Sequence, residues 1–349
     1  MNFISRDYDL TDQSYCVVIG EIGVNHNKDP QMLTELIEKG VSAGLDVIKF
    51  QRFNSEGEIS KFAALAEYQQ SGVDSSSQLE MAKGLELTDE MLVGAFELCE
   101  KLGVGFLCTG FDVGSVDFIA DTLGCKSVKV PSPDITNKPL IKHMARKFES
   151  LLVSTGASTM AECATVVDWI EDCGDREISL MHCVSEYPVP VDQLNMTVIK
   201  SLQAAMKLPV GYSDHSEGRL AAIMAVSFGA TTIEKHYTLD RDLPGPDHKA
   251  SLDIGELTNF VKTVRKTNAA LGSGLKVPAA IEAKNIPLIR KSVTCNAFMA
   301  AGHVLRFEDL GIKRPEVEGA VAPADIEKIV GRKLGEDKEH DEPILWTDL

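Results

Sequence analysis

Apolar stretches of strand length alternate with helical patterns along most of the chain. The segments between them, such as PQMLTELIEKGVSAG and GRLAAIMAVSFG, place apolar residues at three- and four-residue intervals and often end in glycine, as capped helices do. Strict alternation of strand and helix is typical of parallel sheets. The eight predicted strands are CVVIGEIG, LDVIKFQRF, VGFLCTGFD, KSVKVPS, LLVSTG, ISLMHCVSEYP, LPVGYSDHS and TTIEKHYTLD.

Eight strand and helix pairs in about 250 residues predict an α/β fold, a closed (β/α)₈ TIM barrel. A doubly wound open sheet is the alternative. That fold needs a glycine-rich phosphate turn after the first strand, but EIGVNHNKD contains a single glycine. The barrel is therefore the favoured prediction.

The strand and helix rhythm ends in GSGLKVPAAIEAKNIPLIRKS, where Gly, Pro and Ala interrupt it. The short β-like pieces that follow, SVTCNAF, HVLRFEDL and PILWTDL, are separated by Gly, Pro and charged turns. We predict a barrel over residues 1–275, a linker over 276–289 and a small β-rich domain over 290–349.

Composition narrows the class of partner. The net charge of −17 opposes binding to nucleic acid, which requires clustered Lys and Arg, although a few local lysines can serve a small anion. No apolar run approaches the ~20 residues of a membrane helix, and the first residues, MNFISRDYDLTDQSY, lack the apolar core of a signal peptide. We expect a cytoplasmic protein with no membrane partner.

Polar residues concentrate where the predicted strands end, which is where active sites lie in such barrels. Lys49 and Lys129 are costly to bury inside strands unless an anion meets them, so they favour a phosphate or carboxylate site. Pairing with barrel acids such as Glu21 or Glu234 is the other interpretation. Hydroxyl groups that could complete an anion site belong to Ser132 and Ser154.

Two histidines, His215 and His236, end the predicted strands 7 and 8, with Asp214 and Glu234 beside them. Adjacent strand ends could place both imidazoles on one ion, although a strand histidine is often only a hydrogen-bonded core residue. Two nitrogen ligands leave positions for water and substrate oxygens. That arrangement suits Mn²⁺ or Mg²⁺ better than a closed structural zinc site.

Eight motifs, in order EIGVNHN, IKFQ, KVPSPD, STGAS, HCVSEYP, GYSDHS, EKHYTLD and GPDHKAS, resemble the sialic acid synthase family, whose members join phosphoenolpyruvate to an N-acetylated hexose. In the tail, RKSV, AGHVL, DLGIKRP and VGRKL resemble the antifreeze-like (SAF) domain that follows the barrel in that family. The resemblance covers nearly the whole chain. Departures are Ser185 in place of an asparagine, Gly110 in place of a proline, and EVEGAV after KRP.

The resemblance implies a domain-swapped homodimer with a divalent ion, Mn²⁺ first and Mg²⁺ or Co²⁺ as alternatives, on His215 and His236. It implies that Glu21 faces the sugar hydroxyls and that Arg314, donated by the partner's small domain, holds the N-acyl group. The other residues carried over as substrate contacts are Lys49, Gln51, Lys129, Ser132, Ser154, Ser185, Tyr187 and Asp247.

The implied reaction joins phosphoenolpyruvate, an N-acetylated sugar in its aldehyde form and water, with cleavage of a C–O bond. We expect Glu234, Glu21 and Lys129 to act in catalysis, with Glu234 as the base because it shares a strand face with His236. N-acetylmannosamine, giving N-acetylneuraminic acid, is the first expectation. A legionaminic acid synthase using 2,4-diacetamido-2,4,6-trideoxymannose is the alternative, ahead of a metal-dependent barrel hydrolase or a non-enzymatic carbohydrate-binding protein.

Overall fold

A computed structural model describes residues 1–3, 6–63 and 77–349. Eight parallel strands close into a barrel in chain order, each hydrogen-bonded to the next and β8 to β1. The predicted (β/α)₈ fold is confirmed. The strands are β1 (Val17–Gly23), β2 (Val47–Arg52), β3 (Gly105–Gly110), β4 (Ser127–Val130), β5 (Ser150–Ser154), β6 (Glu177–Cys183), β7 (Val210–Asp214) and β8 (Thr232–His236).

Helices surround the barrel, and several begin at polar residues whose side chains satisfy the first backbone N–H groups. The Asp29 carboxylate caps α1 by accepting hydrogen bonds from the N–H groups of Gln31 and Met32. Thr159 and Glu162 form a reciprocal capping box at the start of α7. The helices are α1 (Pro30–Ala43), α2 (Ser55–Glu58), α3 (Gln78–Lys83), α4 (Asp89–Leu102), α5 (Val113–Asp117, continued by a π-helical turn, Phe118–Thr122), α6 (Lys138–Lys147), α7 (Met160–Glu171), α8 (Val198–Met206), α9 (Leu220–Ser227) and α10 (Ile254–Leu271).

The barrel interior changes from apolar to polar along the strands. An inner cluster of buried side chains includes Ile19, Val47, Leu107, Leu152 and Met181, with Phe3 from the N-terminal segment. Because side chains alternate along a strand, the residues two positions later point to the same interior. Those residues are Glu21, Lys49, Thr109, Ser154 and Cys183. A polar layer therefore lies next to this apolar cluster, at the carboxyl ends of the strands.

A second compact unit, Gly274–Leu349, follows the first, Met1–Ser273. The residues predicted as a linker contain a 3₁₀ turn, Ala280–Glu282, and the short helix α11 (Ile286–Ile289). The unit contains an antiparallel pair, β9 (Ser292–Cys295) and β10 (Leu310–Lys313), together with isolated bridges and 3₁₀ turns. It has a core of its own, formed by Val293, Cys295, Met299, Leu305, Leu310, Val321, Ile329, Leu334 and Ile344.

Within the described residues, no helix is both long enough and apolar enough to span a bilayer.

Candidate active site

A cavity of about 320 Å³ opens at the carboxyl ends of the barrel strands. The twelve site residues predicted in the barrel all line it, although they come from separate strands and loops. The thirteenth, Arg314, is an exposed residue of the second unit. The twelve are Glu21, Lys49, Gln51, Lys129, Ser132, Ser154, Ser185, Tyr187, His215, Glu234, His236 and Asp247.

Two buried lysines and two buried glutamates form the cavity floor. Lys49 Nζ lies 3.0 Å from Glu21 Oε2 and 3.4 Å from Glu234 Oε1, and Lys129 Nζ lies 3.5 Å from Glu234 Oε2. Lys129 also donates a hydrogen bond of 2.6 Å to Ser154 Oγ. The lysines thus pair with the barrel acids, the alternative that the sequence left open. All four residues also line the cavity, so the two lysine ammonium groups lie at its surface.

Electrostatics differ between the two acids. Burial alone would raise the pKa of Glu234, but the attraction of the Lys129 and Lys49 ammonium groups lowers it to about 2. Burial is also the main influence on Glu21 and raises its pKa, which Lys49 only partly offsets. Glu234 is therefore ionised at neutral pH and forms ion pairs with both lysines.

The two predicted ligand histidines are neighbours at the cavity wall. Their ring centroids are 5.9 Å apart. His215 Nδ1 lies 2.8 Å from the Val184 carbonyl oxygen, which can only accept, so Nδ1 carries a proton. The Tyr187 hydroxyl lies 3.0 Å from Nε2 of the same ring. The Nδ1 atom of His236 is buried and has no hydrogen-bond partner among the described residues.

These residues fit a metal ion as part of its ligand set. Burial lowers the pKa of His236 well below its usual value, and His215 adds to this effect, so the ring is neutral and can ligate. Asp247 Oδ2 is 3.8 Å from the unpartnered His236 Nδ1. The described residues contain no group of three or more His, Cys, Asp or Glu arranged to hold a metal. An ion held by these two histidines would need water or substrate in its remaining positions.

Some cavity residues were missed by the sequence reasoning. Thr109 Oγ1 accepts a hydrogen bond of 3.4 Å from Lys49, and Ser213 Oγ donates one of 3.1 Å to Glu234 Oε1. Both lie on inward-facing positions of their strands, so the alternation of side chains could have identified them. Asp214, the next residue, pairs instead with Lys235 at 3.2 Å and orders the loop through Ser216 rather than touching His215.

The outer part of the cavity is apolar and acidic. Glu58 lies among its lining, and burial, with the charges of Asp134 and Asp112, raises the pKa of Glu58 to about 7. Of the described residues that line the cavity, only Lys49 and Lys129 are lysines, and none is an arginine. Apolar side chains come from the loops after β2 and β3 and from α3, namely Phe53, Ile59, Met81, Ala82, Leu85 and Phe111.

Known proteins resemble this chain over most of its length. Residues 36–276 match the NeuB family and residues 290–349 match the SAF domain. The chain is 39% identical over 339 residues to N,N'-diacetyllegionaminic acid synthase of Legionella pneumophila, covering 96% of this chain and 94% of that protein. It is 30% identical to N-acetylneuraminate-9-phosphate synthase of Homo sapiens, covering 95% and 92%.

Solved structures extend the similarity. The N-acetylneuraminic acid synthetase of Leptospira borgpetersenii superposes with a TM-score of 0.70 at 30% identity, over 78% of this chain and 91% of that one. A putative spore coat polysaccharide biosynthesis protein E of Chromobacterium violaceum gives a TM-score of 0.76 at 25% identity, over 95% and 99%. The resemblance drawn from the sequence motifs is confirmed: the chain belongs to the NeuB family and has a SAF domain after its barrel.

Proposed function

We propose that this protein condenses phosphoenolpyruvate with an N-acylated amino sugar and water, giving a nine-carbon α-keto acid and phosphate. The observation that carries the proposal is the meeting of two kinds of group in one cavity. Lys49 and Lys129 supply positive charge for an anion, and His215 and His236 lie on the neighbouring wall. Relatives of the chain include an N,N'-diacetyllegionaminic acid synthase and an N-acetylneuraminate-9-phosphate synthase.

Phosphoenolpyruvate would bind at the lysine end. The loop after β5 holds a hydroxyl group in place, because Gly156 donates its N–H to Ser132 Oγ at 3.0 Å. A Cβ atom at Gly156 would lie 2.7 Å from that oxygen and closer still to Ser185 Oγ. Only glycine allows both hydroxyl groups to approach the backbone there. A fixed cradle of this kind holds the anion against its reaction partner and supplies orientation as well as charge.

The sugar aldehyde would lie at the histidine end. His215 and His236 would hold the divalent ion, which when bound supplies Lewis-acid polarisation of the aldehyde oxygen. We propose Mn²⁺, with Mg²⁺ and Co²⁺ as alternatives. Glu21, whose Oε1 accepts a hydrogen bond of 2.6 Å from Gln51, and Asp247 would hold the sugar hydroxyls.

The proposed chemistry forms a C–C bond and a C–O bond from C2 to the water oxygen, and it breaks the C–O bond between C2 and the phosphate. C3 of phosphoenolpyruvate attacks the aldehyde carbon, whose oxygen gains a proton and becomes a hydroxyl. Water then adds at C2 and phosphate leaves with its bridging oxygen. Glu234 would take the proton from that water, because its carboxylate faces the cavity between the two lysines.

For the sugar, we propose 2,4-diacetamido-2,4,6-trideoxymannose, the precursor of N,N'-diacetyllegionaminic acid. Relatives of 39% and 36% identity carry that synthase name, against 30% for the human 9-phosphate synthase. The apolar outer wall suits a C6 methyl group. This ranking of the candidate sugars reverses the expectation from the sequence, and N-acetylmannosamine becomes the second candidate. A 6-phosphorylated sugar fits least, since the described lining has no lysine or arginine besides the two on the floor.

The test is phosphate release by the purified protein with Mn²⁺, phosphoenolpyruvate and each of three sugars: the diacetamido sugar, N-acetylmannosamine and its 6-phosphate. We expect kcat/KM to be highest for the first and lowest for the last. Lys129→Met should abolish turnover, whereas Lys126→Met, at a 55% exposed side chain that pairs with Glu149, should not. Absence of phosphate release with every sugar would refute the proposal.

A further inference from the structure

Two buried histidines lie beside the cavity without lining it. His26 and His248 are each 1% exposed, and neither is among the described residues that form the cavity wall. His248 is hydrogen-bonded on both ring nitrogens: Nε2 is 3.2 Å from Asn27 Oδ1, and Nδ1 is 2.7 Å from Thr238 Oγ1. This ring therefore connects the loop after β1 to the loop after β8.

Asn27 makes a second contact between the same two loops. Its Nδ2 donates a hydrogen bond of 2.8 Å to the carbonyl oxygen of Pro244. The two loops approach so closely that a Cβ atom at Gly245 would lie 2.8 Å from His248 Cδ2 and 3.1 Å from Asn27 Oδ1. Asn27 thus holds two points of the second loop, one on each side of Gly245.

Between Pro244 and His248 stands Asp247, whose side chain lines the cavity. Its backbone carbonyl accepts a hydrogen bond of 2.7 Å from Ser251 Oγ, to which Asn25 Nδ2 donates at 2.8 Å. In the part of the chain that the structure describes, no hydrogen bond is made to the carboxylate itself, and its ion-pair contact is with His236 Nδ1 at 3.8 Å. The position of this carboxylate therefore depends on how the loop is held.

We propose that Asn27 and His248 form a clasp that positions Asp247 for the sugar. Both are positioning residues, since neither lines the cavity. The inference rests on the proposed function, in which Asp247 holds a sugar hydroxyl. It predicts an effect confined to the sugar, because the phosphoenolpyruvate end of the cavity is built from the β2, β4 and β5 strands and their loops. Among the described residues, the side-chain hydrogen bonds of Asn27 and His248 go to Pro244, Thr238 and each other.

The test is steady-state kinetics of His248→Ala, varying each substrate in turn. The sugar KM should rise by about tenfold or more while the phosphoenolpyruvate KM stays within about twofold, because a misplaced carboxylate weakens only the interactions it makes. His248→Gln retains an amide N–H that can reach Asn27 Oδ1, and it should recover part of the loss. The control is His143→Ala, a histidine of α6 that bonds to Asp117 at 2.8 Å and does not line the cavity.

Asn27→Ala gives a second route to the same answer if His248→Ala folds poorly. It should show the same rise in the sugar KM. The double variant should be little worse than either single one, because both substitutions remove one connection. An unchanged sugar KM in the folded variants, or equal changes for both substrates, would overturn the clasp. A wild-type protein inactive with every sugar would overturn the proposed function and the clasp together.

Discussion

Burial of His248 makes the stability of the barrel depend on pH. Its pKa falls from the ordinary 6.5 to about 4 because burial disfavours the imidazolium form, although Asp240 opposes this. His26 is lowered to about 4 by burial and by the charges of His248 and Lys28. Between pH 6.5 and pH 4 the unfolded chain therefore binds more protons than the folded one. Stability is fully present above that range and is lost as the pH falls through it.

The size of the effect follows from the two pKa values. For one histidine with a pKa of 6.5 unfolded and about 4 folded, the free energy of unfolding decreases by about 2 kcal/mol between pH 7 and pH 5. His26 should add a similar amount. Replacing His248 with glutamine removes its share, so the variant should lose about 2 kcal/mol less than the wild type over this interval.

Urea denaturation at pH 7 and pH 5 measures this difference, with the fluorescence of Trp169 in α7 as a probe of the barrel. The comparison is between the pH-dependent losses, so any constant effect of the glutamine cancels. His340→Gln is the matched control, because the His340 side chain is 60% exposed and its variant should behave as the wild type does. If His248→Gln loses as much stability as the wild type, the argument from burial is wrong.

Two further predictions concern the chemistry. Glu234→Gln should fold and bind metal but lose turnover by about 100-fold or more, since the amide cannot take a proton; near-normal phosphate release would remove Glu234 from the mechanism. Chelation should abolish activity and Mn²⁺ should restore it. Mn²⁺ should also raise the melting temperature of the wild type but not of His215→Ala or His236→Ala, and full activity of the metal-stripped protein would contradict their assignment as ligands.

The barrel could be predicted because its pattern is local. Each strand is a short apolar run, each helix has a 3.6-residue period, and the alternation dictates parallel strands. The same rule predicted that polar residues at strand ends, such as Lys49, Lys129 and His236, meet at one end of a parallel barrel. The structure places all three in the cavity wall.

The clasp could not be predicted in this way. Asn27 and His248 are separated by 221 positions in the sequence, and both lie in loops whose paths follow from tertiary packing. The sequence gives their side-chain chemistry but not which pairs meet. Thr109 and Ser213 are a different case, because they stand on strands. For these two residues, the missing information was which positions of each strand face the barrel interior. A neighbouring lysine or glutamate on the same face could have supplied it.

Lys49 and Lys129 can pair with barrel acids or bind an anion. These two interpretations describe two states of the same ammonium groups. Unpaired buried ammonium groups are costly, so a cavity that awaits an anion needs internal partners. Glu21 and Glu234 are those partners: each lies within 3.5 Å of a lysine Nζ. In the proposed reaction, phosphoenolpyruvate would bring its own negative charges, to which the ammonium groups could turn. Under the proposed function, its arrival would leave Glu234 facing the cavity with fewer cationic neighbours, at the position where a base for water is needed.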